Sequence, residues 1–218
     1  MKLYGYFRSS ASYRVRIALN LKGLVHEHVA VHLLKDGGQQ FSAPFKQLNP
    51  DSLIPVLCDE DEGEELVLSQ SLAILEYLDE KYPETSLLPS KRSDRAYVRA
   101  LSLAIACDIH PINNLRVLKY LTAHFSVTEE QKTDWYKHWC MLGLSQLEQR
   151  LVTDARSGDF CFGDAPSMAD CCLVPQVFNA LRFNCDLSLL PKTMGIYQRC
   201  LELEAFSQAA PSAQPDAE

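Results

Sequence analysis

The sequence predicts a small α/β domain followed by an all-helical domain. Up to residue 82, short strand-like apolar runs alternate with segments of helical spacing. A stretch that contains Pro, Ser and Lys follows, and beyond it the apolar residues recur only at helical spacing. We therefore predict an α/β domain over residues 1–83, a linker over 84–92, a helical domain over 93–210 and a mobile tail over 211–218.

The first domain opens with a strand, a helix and a second strand. Lys2 to Tyr6 and Glu27 to Leu33 have strand patterns, and Ser12 to Leu24 has helical spacing. Gly23 occupies the usual position at the end of such a helix. Because a helix separates the two strands, we expect them to be parallel.

The remainder of the first domain is predicted as a short helix, a hairpin and a closing helix. These elements are Phe41 to Leu48, Val56 to Cys58 paired with Leu66 to Leu68, and Ser71 to Tyr82. Six acidic residues between Asp59 and Glu65 are interpreted as a solvated loop without a function.

The second domain is predicted to contain four helical segments. Ser167 and Asp170 have the spacing of a capping box at the start of the third segment, which we interpret as a folding signal. The segments are Asp94 to Phe125, Thr128 to Val152, Ser167 to Leu181 and Lys192 to Glu204.

Composition and charge exclude several classes of partner. The net charge is −7 and no basic stripe is present, which argues against nucleic acid. The eight cysteines show no Cys-x-x-Cys pair, so we expect reduced core residues and no metal site. No apolar run has the length of a signal peptide or a membrane span, and we expect a cytoplasmic protein without a membrane partner.

A hydroxyl-rich loop joins the first strand to the first helix. Ser9, Ser10 and Ser12 lie where a helix start leaves backbone N–H groups unpaired and carries a partial positive charge. Such a segment either caps the helix or also holds an anion or a thiolate, and the residues alone leave both interpretations open. Gln70 and Ser71 open a second helix in the same way.

The loop and the helix after it resemble a signature of the zeta class of glutathione transferases. The family usually has a cysteine where this chain has Ala11, so no role of that thiol carries over. The resemblance covers nearly the whole chain, in the segments Tyr6-Phe7-Arg8-Ser9-Ser10, Arg14-Val15-Arg16-Ile17-Ala18-Leu19, Asp36-Gly37-Gly38-Gln39-Gln40, Leu48-Asn49-Pro50, Ile54-Pro55-Val56, Ser69-Gln70-Ser71, His110-Pro111-Ile112-Asn113-Asn114 and Leu173-Val174-Pro175-Gln176-Val177.

This resemblance implies a thioredoxin-like first domain, with a mixed four-stranded sheet in the order βαβ-ββα, and a helical glutathione-transferase domain after it. The first domain would bind glutathione as cofactor. By resemblance, Pro55 is cis and Ile54 pairs through its main chain with the cysteinyl part. Gln70 and Ser71 would hold the glutamyl part, and Gln40 would reach the glycyl end.

Further contacts with glutathione are implied at both serines and in the second domain. His110 and Asn114 are expected to bind glutathione or to contact a second subunit rather than to carry protons. The remaining residues of the predicted cofactor-binding set are Ser9, Ser10, Ala11 and Arg116.

The implied reaction is glutathione-dependent cis-trans isomerisation of maleylacetoacetate to fumarylacetoacetate, a step of tyrosine and phenylalanine catabolism. The thiolate would add to the cis double bond, the resulting single bond would rotate, and the thiolate would leave. Ser9 is our first candidate to stabilise the thiolate and Ser10 the second, with Arg8 completing the catalytic set. Arg8 and Arg182 are expected to bind the carboxylates of a small anionic keto diacid.

Three alternatives to this reaction remain open at the level of the sequence. Maleylpyruvate is a shorter keto diacid that the same site would accept. The same thiolate would also attack small haloacids, as in a conjugating transferase. A non-enzymatic binding module is the third alternative, and the family implies a homodimer in each case.

Overall fold

The computed structural model describes residues 1–218, which divide into two compact units. The first unit contains Met1–Leu87 together with Glu202–Glu218, and the second contains Leu88–Leu201. This division corrects the prediction at the C-terminal end. Residues 202–210 were assigned to the helical domain and 211–218 to a mobile tail, whereas all of them pack with the first unit.

A mixed four-stranded sheet forms the centre of the first unit. Its strand order is β2-β1-β3-β4, with β1 parallel to β2 and antiparallel to β3, and with β3 antiparallel to β4. Leu3 and Leu57 are completely buried in its two central strands. The predicted fold class, a thioredoxin-like domain followed by a helical one, is confirmed. The strands are β1 (Lys2–Gly5), β2 (Glu27–Ala30), β3 (Val56–Asp61) and β4 (Glu64–Ser69).

Four α-helices belong to the same unit as this sheet, and five make up most of the second unit. Helices α1, α2, α3 and α9 belong to the first unit, and α4 to α8 belong to the second. The helices are α1 (Ser10–Leu21), α2 (Ala43–Leu48), α3 (Ser71–Lys81), α4 (Arg92–Leu103), α5 (Leu115–Phe125), α6 (Glu129–Thr153), α7 (Met168–Arg182), α8 (Pro191–Leu201) and α9 (Glu204–Ser207). None of them is long and apolar enough to cross a membrane.

The acidic segment between residues 59 and 65 belongs largely to the hairpin strands. β3 runs through Asp61 and β4 begins at Glu64, which leaves a two-residue turn. The carboxylate of Asp59 accepts hydrogen bonds from the Tyr77 hydroxyl at 2.8 Å and from Lys81 Nζ at 2.9 Å. The interpretation of the whole segment as a solvated loop is therefore wrong, because α3 supplies partners that let the strands continue.

The helix predicted over residues 94–125 is interrupted. After α4 the chain forms a π-helical segment over Ala104–Ile109, then a short 3₁₀ turn over Pro111–Asn113, before α5 begins. A proline cannot donate the next helical hydrogen bond, which explains the break. The packing is also tight here, since a Cβ atom added to Gly143 of α6 would lie 2.3 Å from Ile109 Cγ1.

The capping box at the start of α7 forms as predicted. Asp170 Oδ2 accepts hydrogen bonds from the Ser167 N–H at 2.8 Å and from the Ser167 hydroxyl at 2.7 Å. Its other oxygen accepts from the Cys161 N–H at 2.8 Å. Burial raises the pKa of this fully enclosed carboxyl. The side chain therefore holds the start of α7 and the loop before it together.

Six of the eight cysteines are buried, and all six lie in the second unit. Cys171 and Cys172 are completely enclosed in α7, as expected for small apolar core residues. None of the eight thiols forms a disulfide.

We expect Asp170→Ala to lower the free energy of unfolding by about 3 kcal/mol, because two buried N–H groups lose their acceptor. Ser167→Ala, the matched control, removes only a hydroxyl donor and should cost about 1 kcal/mol. Urea unfolding followed by circular dichroism measures both. Equal losses in the two variants would contradict the central role of the carboxylate.

Candidate functional site

The register of the sheet brings four segments together at one end of the strands of the first unit. Gly5 at the end of β1 pairs with Ala30 at the end of β2. Val56 at the start of β3 pairs with Tyr4 on one side and with Ser69 at the end of β4 on the other. The segments that adjoin these ends carry the predicted residues Arg8, Ser9, Ser10, Ala11, Gln40, Ile54, Pro55, Gln70 and Ser71.

Ser9 is the N-cap of α1. Its backbone is extended, and its Oγ accepts a hydrogen bond from the Ser12 N–H at 3.2 Å. A hydroxyl both accepts and donates, so the Ser9 hydrogen remains available to a thiolate or an anion. Ser10 follows as the first residue of the helix and is buried. The capping and binding interpretations are therefore compatible at Ser9.

Ser12 does not belong to this group. It is completely buried, and its Oγ lies 3.1 Å from the point where a Cβ atom on Gly5 would stand. The side chain thus packs on β1, with its hydroxyl enclosed in the first unit. Glycine at position 5 therefore avoids a tight contact with Ser12.

Arg8 is half-buried beside the capped helix start. Its guanidinium donates to the Tyr6 hydroxyl from Nη2 at 2.7 Å and from Nε at 3.2 Å, and its Cζ lies 4.9 Å from the centre of the Phe7 ring. These contacts fix the plane of the guanidinium. Since they engage only part of its five N–H donors, it retains donors for a carboxylate.

A second arginine, Arg16, binds the backbone of the loop between β1 and α1, residues 6–9, which we call the serine loop. The sequence predicted no function for Arg16. It is almost completely buried, and its Nη2 and Nη1 lie 2.9 Å and 3.5 Å from the carbonyl oxygens of Phe7 and Tyr6, to which they donate. Its Nε donates to the Ala209 carbonyl at 2.9 Å. Burial lowers the pKa of Arg16 to about 10. A charged residue between the apolar Val15 and Ile17 was the signal that could have identified it.

The start of α3 forms the second part of the site. Ser71 is buried, and its Oγ accepts a hydrogen bond from Nη1 of the buried Arg14 at 3.1 Å, which ties α3 to α1. Gln70, the exposed residue before it, has φ 68° and ψ 112°. This backbone conformation is unfavourable for a residue with a side chain, and such outliers concentrate at ligand sites.

The loop before β3 contains the cis peptide expected from the family resemblance. The bond between Ile54 and Pro55 is cis, which confirms that expectation. Ile54 is half-buried and Pro55 is buried at the edge of the sheet, immediately before β3 begins. The main chain of Ile54 therefore lies beside the strand ends that carry the serine loop.

Gln40 is buried, and its amide oxygen has no hydrogen-bond partner. The side chain lies against Gly38, where an added Cβ atom would stand 2.7 Å from Gln40 Nε2. Gly38 has φ 110°, a conformation that favours glycine. A buried carbonyl oxygen of this kind can accept a hydrogen bond from the N–H of a ligand amide.

The other predicted site residues lie in the second unit. Asn114 caps α5 by accepting the Arg116 N–H at 3.1 Å, and the Arg116 side chain is exposed. His110 is half-buried at the end of the π-helical segment. Arg182 is exposed at the end of α7, where Nε donates to Asn179 Oδ1 at 3.3 Å.

Both parts of this second group are anchored on α6. The Asn113 side chain donates to the Tyr136 carbonyl at 3.2 Å. The Tyr136 ring stacks on Phe183, with 3.7 Å between the ring centres. Because Phe183 directly follows Arg182, Tyr136 connects the segment around Asn114 with the end of α7, through its carbonyl on one side and its ring on the other.

The first unit matches the family described as "Glutathione S-transferase, N-terminal domain" over residues 3–86. This match spans the sheet, the serine loop, the cis-proline and α3. Together they define the class of protein, a glutathione transferase.

Full-length relatives narrow the class. The chain is 55% identical over 215 residues to the probable maleylacetoacetate isomerase of Vibrio cholerae, covering 99% of this chain and 97% of that protein. It is 47% identical to a solved maleylpyruvate isomerase, a bacterial glutathione transferase of the zeta class, with a TM-score of 0.94 and complete coverage of both chains. The chain therefore belongs to the zeta class of glutathione transferases.

A second similar structure contains ligands in its active site. It is the maleylacetoacetate isomerase of Anaeromyxobacter dehalogenans 2CP-1, with dicarboxyethyl glutathione and citrate bound in the active site. It is 40% identical with a TM-score of 0.88, and the comparison covers 100% of this chain and 97% of that one.

The unfavourable backbone of Gln70 leads to a stability prediction. Gln70→Gly should unfold with a free energy about 1 kcal/mol higher than Gln70→Ala, because glycine tolerates positive φ and alanine retains the strain. Both variants remove the same side-chain amide, so chemical denaturation of the pair isolates the backbone contribution. A lower stability for the glycine variant would show that the backbone is not strained there.

Proposed function

We propose that the first unit binds glutathione and that the chain uses the glutathione thiolate to isomerise maleylacetoacetate to fumarylacetoacetate. The observation that carries this proposal is Ser9, whose Oγ accepts the Ser12 N–H at the start of α1 and retains a hydrogen to donate. The names of the full-length relatives support the substrate.

The residues at the sheet edge fit glutathione. The orphaned oxygen of Gln40 suits an amide N–H at the glycyl end, and the main chain of Ile54 beside the cis-proline suits the cysteinyl part. Gln70 and Ser71 at the start of α3 suit the glutamyl carboxylate. The proposed set is completed by Ser9, Ser10, Ala11, His110, Asn114 and Arg116.

When bound, glutathione supplies the thiolate that adds to the cis double bond and leaves after rotation about the single bond. Ser9 would donate to the sulfur, and Ser10 would be the second donor at the positive end of α1. A free thiol has a pKa of about 8.5, and lowering it by about 2 units takes roughly 2.7 kcal/mol. One charge-assisted hydrogen bond together with a helix N-terminus is sufficient in size.

The two predicted substrate residues are guanidinium groups, which match the shape of a carboxylate. Arg8 is fixed by Tyr6 and Phe7, and Arg182 by Asn179. Both arginines are therefore proposed as carboxylate-binding residues. The similar enzyme with dicarboxyethyl glutathione supports this chemistry, since that compound is a glutathione thioether of a four-carbon diacid.

Maleylpyruvate is the second candidate substrate. The observation in its favour is the maleylpyruvate isomerase that matches this chain over its full length. Both substrates are maleyl keto diacids, so the same residues would serve either reaction.

The setting of the enzyme is part of the proposal. By family resemblance, we place it in tyrosine and phenylalanine catabolism and expect a homodimer. The exposed Phe41 and Val67, on the first unit and on its edge strand β4, are apolar candidates for the contact between subunits. Eight cysteines without a disulfide support a reducing compartment such as the cytoplasm.

Ser9→Ala should lower kcat about 100-fold while changing the KM for glutathione much less, because the lost donor acts on the developing charge. The pKa of the bound thiol, measured from ultraviolet absorbance of the thiolate, should rise toward its value in free glutathione. Ser9→Thr retains a hydroxyl and should recover most of the activity. Ser12→Ala is the matched control on the same helix and should behave as wild type. An unchanged thiol pKa in Ser9→Ala would remove Ser9 from its proposed role.

Turnover of maleylacetoacetate tests the function itself. Purified protein should consume it only when glutathione is present, as followed by absorbance, and maleylpyruvate is assayed beside it under the same conditions. The diacid with the higher kcat/KM identifies the substrate. Absence of turnover on both would contradict an isomerase and favour conjugation or binding.

A further inference from the structure

We propose that Asp216, near the C-terminal end, is a positioning residue for the serine loop and thereby for activation of the glutathione thiol. This inference rests on the proposed function, because it concerns the same thiol site. Asp216 itself is not a ligand in the proposed site. It acts on the loop backbone that presents Arg8 and Ser9.

The contact is direct and connects the two ends of the chain. Asp216 Oδ2 accepts a hydrogen bond from the Phe7 N–H at 3.1 Å, across 209 positions of sequence. The other carboxylate oxygen lies 3.0 Å from Nε2 of His28 on β2. Only 13% of the Asp216 side chain and 11% of the His28 side chain are exposed. The His28 ring therefore lies directly against the side of the carboxylate that faces away from Phe7.

Asp216 and Arg16 together bind both the N–H and the carbonyl groups of the loop backbone. Arg16 donates to the carbonyl oxygens of Tyr6 and Phe7, while Asp216 accepts a hydrogen bond from the Phe7 N–H. The positive and negative side chains also attract each other. With donors on one side and an acceptor on the other, the peptide groups around Phe7 have one favoured orientation. The next two residues are Arg8 and Ser9, so this orientation sets where their side chains begin.

The segment that carries Asp216 is itself anchored. Tyr13 of α1 donates its hydroxyl hydrogen to the Phe206 carbonyl at 3.3 Å, and Asn20 Nδ2 donates to the Ala205 carbonyl at 3.0 Å. Gln214 Nε2 donates to the Gln208 and Ala210 carbonyls at 2.9 Å and 3.0 Å. These hydrogen bonds hold the segment that places Asp216 beside the serine loop.

The last residue forms a separate contact, which provides a control. The Glu218 carboxylate pairs with Lys35 and lies 3.5 Å from His32 Nε2, without touching the serine loop. Glu218→Gln thus alters the charge at the same end of the chain. It leaves the Phe7 hydrogen bond in place.

The test compares Asp216→Ala, Asp216→Asn and Glu218→Gln in the full chain. Asp216→Ala should raise the pKa of the bound thiol and lower kcat about tenfold, with a smaller change in the KM for glutathione, because displacement of the donor acts on the charged sulfur. Asp216→Asn keeps an oxygen that accepts from Phe7 and should recover most of the loss. Glu218→Gln should match wild type.

Three results would overturn the positioning role. One is a wild-type thiol pKa in folded Asp216→Ala, and another is an equal loss in Glu218→Gln. Should Asp216→Ala fail to fold, His28→Ala replaces it, because loss of the ring lets the Asp216 carboxylate turn away from Phe7. A wild-type thiol pKa in His28→Ala is the third result. Failure of wild-type protein to bind glutathione would instead contradict the proposed function. Amide exchange of Phe7 in unliganded protein, expected to be faster in Asp216→Ala, tests the contact without glutathione.

Discussion

The buried guanidinium of Arg16 is the interaction on which the first unit depends. A cation removed from water needs several hydrogen-bond acceptors, and here the backbone supplies them through Tyr6, Phe7 and Ala209. Burial still lowers its pKa to about 10. Since the three carbonyls belong to the loop after β1 and to the C-terminal segment, satisfying this one charge draws both segments onto α1. The geometry of the serine loop is thus fixed by the requirements of a core residue.

That geometry allows one hydroxyl to serve folding and chemistry together. Ser9 caps α1 through an oxygen lone pair and keeps its hydrogen for the proposed ligand, so the helix start is stable without that ligand. Arg8, the proposed carboxylate-binding residue, is likewise held by Tyr6 and Phe7. The site is therefore preorganised by short-range contacts, and little side-chain ordering remains to be done on binding.

The sequence predicted the elements whose signals are local. The serine-capped helix, the strand pattern of β1 and the capping box at Ser167 depend on residues close together in the chain, and each formed. The cis bond before Pro55 came from family resemblance and is confirmed. The ligand roles of the site residues remain predictions, because no bound molecule tests them.

The features that escaped prediction depend on distant partners. The C-terminal segment is held through the backbone carbonyls of Ala205, Phe206 and Ala209. Every residue has a backbone carbonyl, so the side chains of this segment do not indicate the contact. The end of the π-helical segment packs against α6, where Ile109 lies close to Gly143. Hydrophobic periodicity predicts neither backbone hydrogen bonds nor close packing between residues that are distant in the sequence.

The first unit is discontinuous in sequence, with the whole second unit inserted before its last 17 residues. During synthesis, β1 and α1 emerge well before Ala209 and Asp216. Arg16 can reach the carbonyls of Tyr6 and Phe7 as soon as its own segment is made, but its third acceptor, Ala209, follows only after the whole second unit. The contacts of the serine loop are consequently completed only after the second unit has been synthesised, and a nascent chain that stops before residue 202 carries the sheet without them.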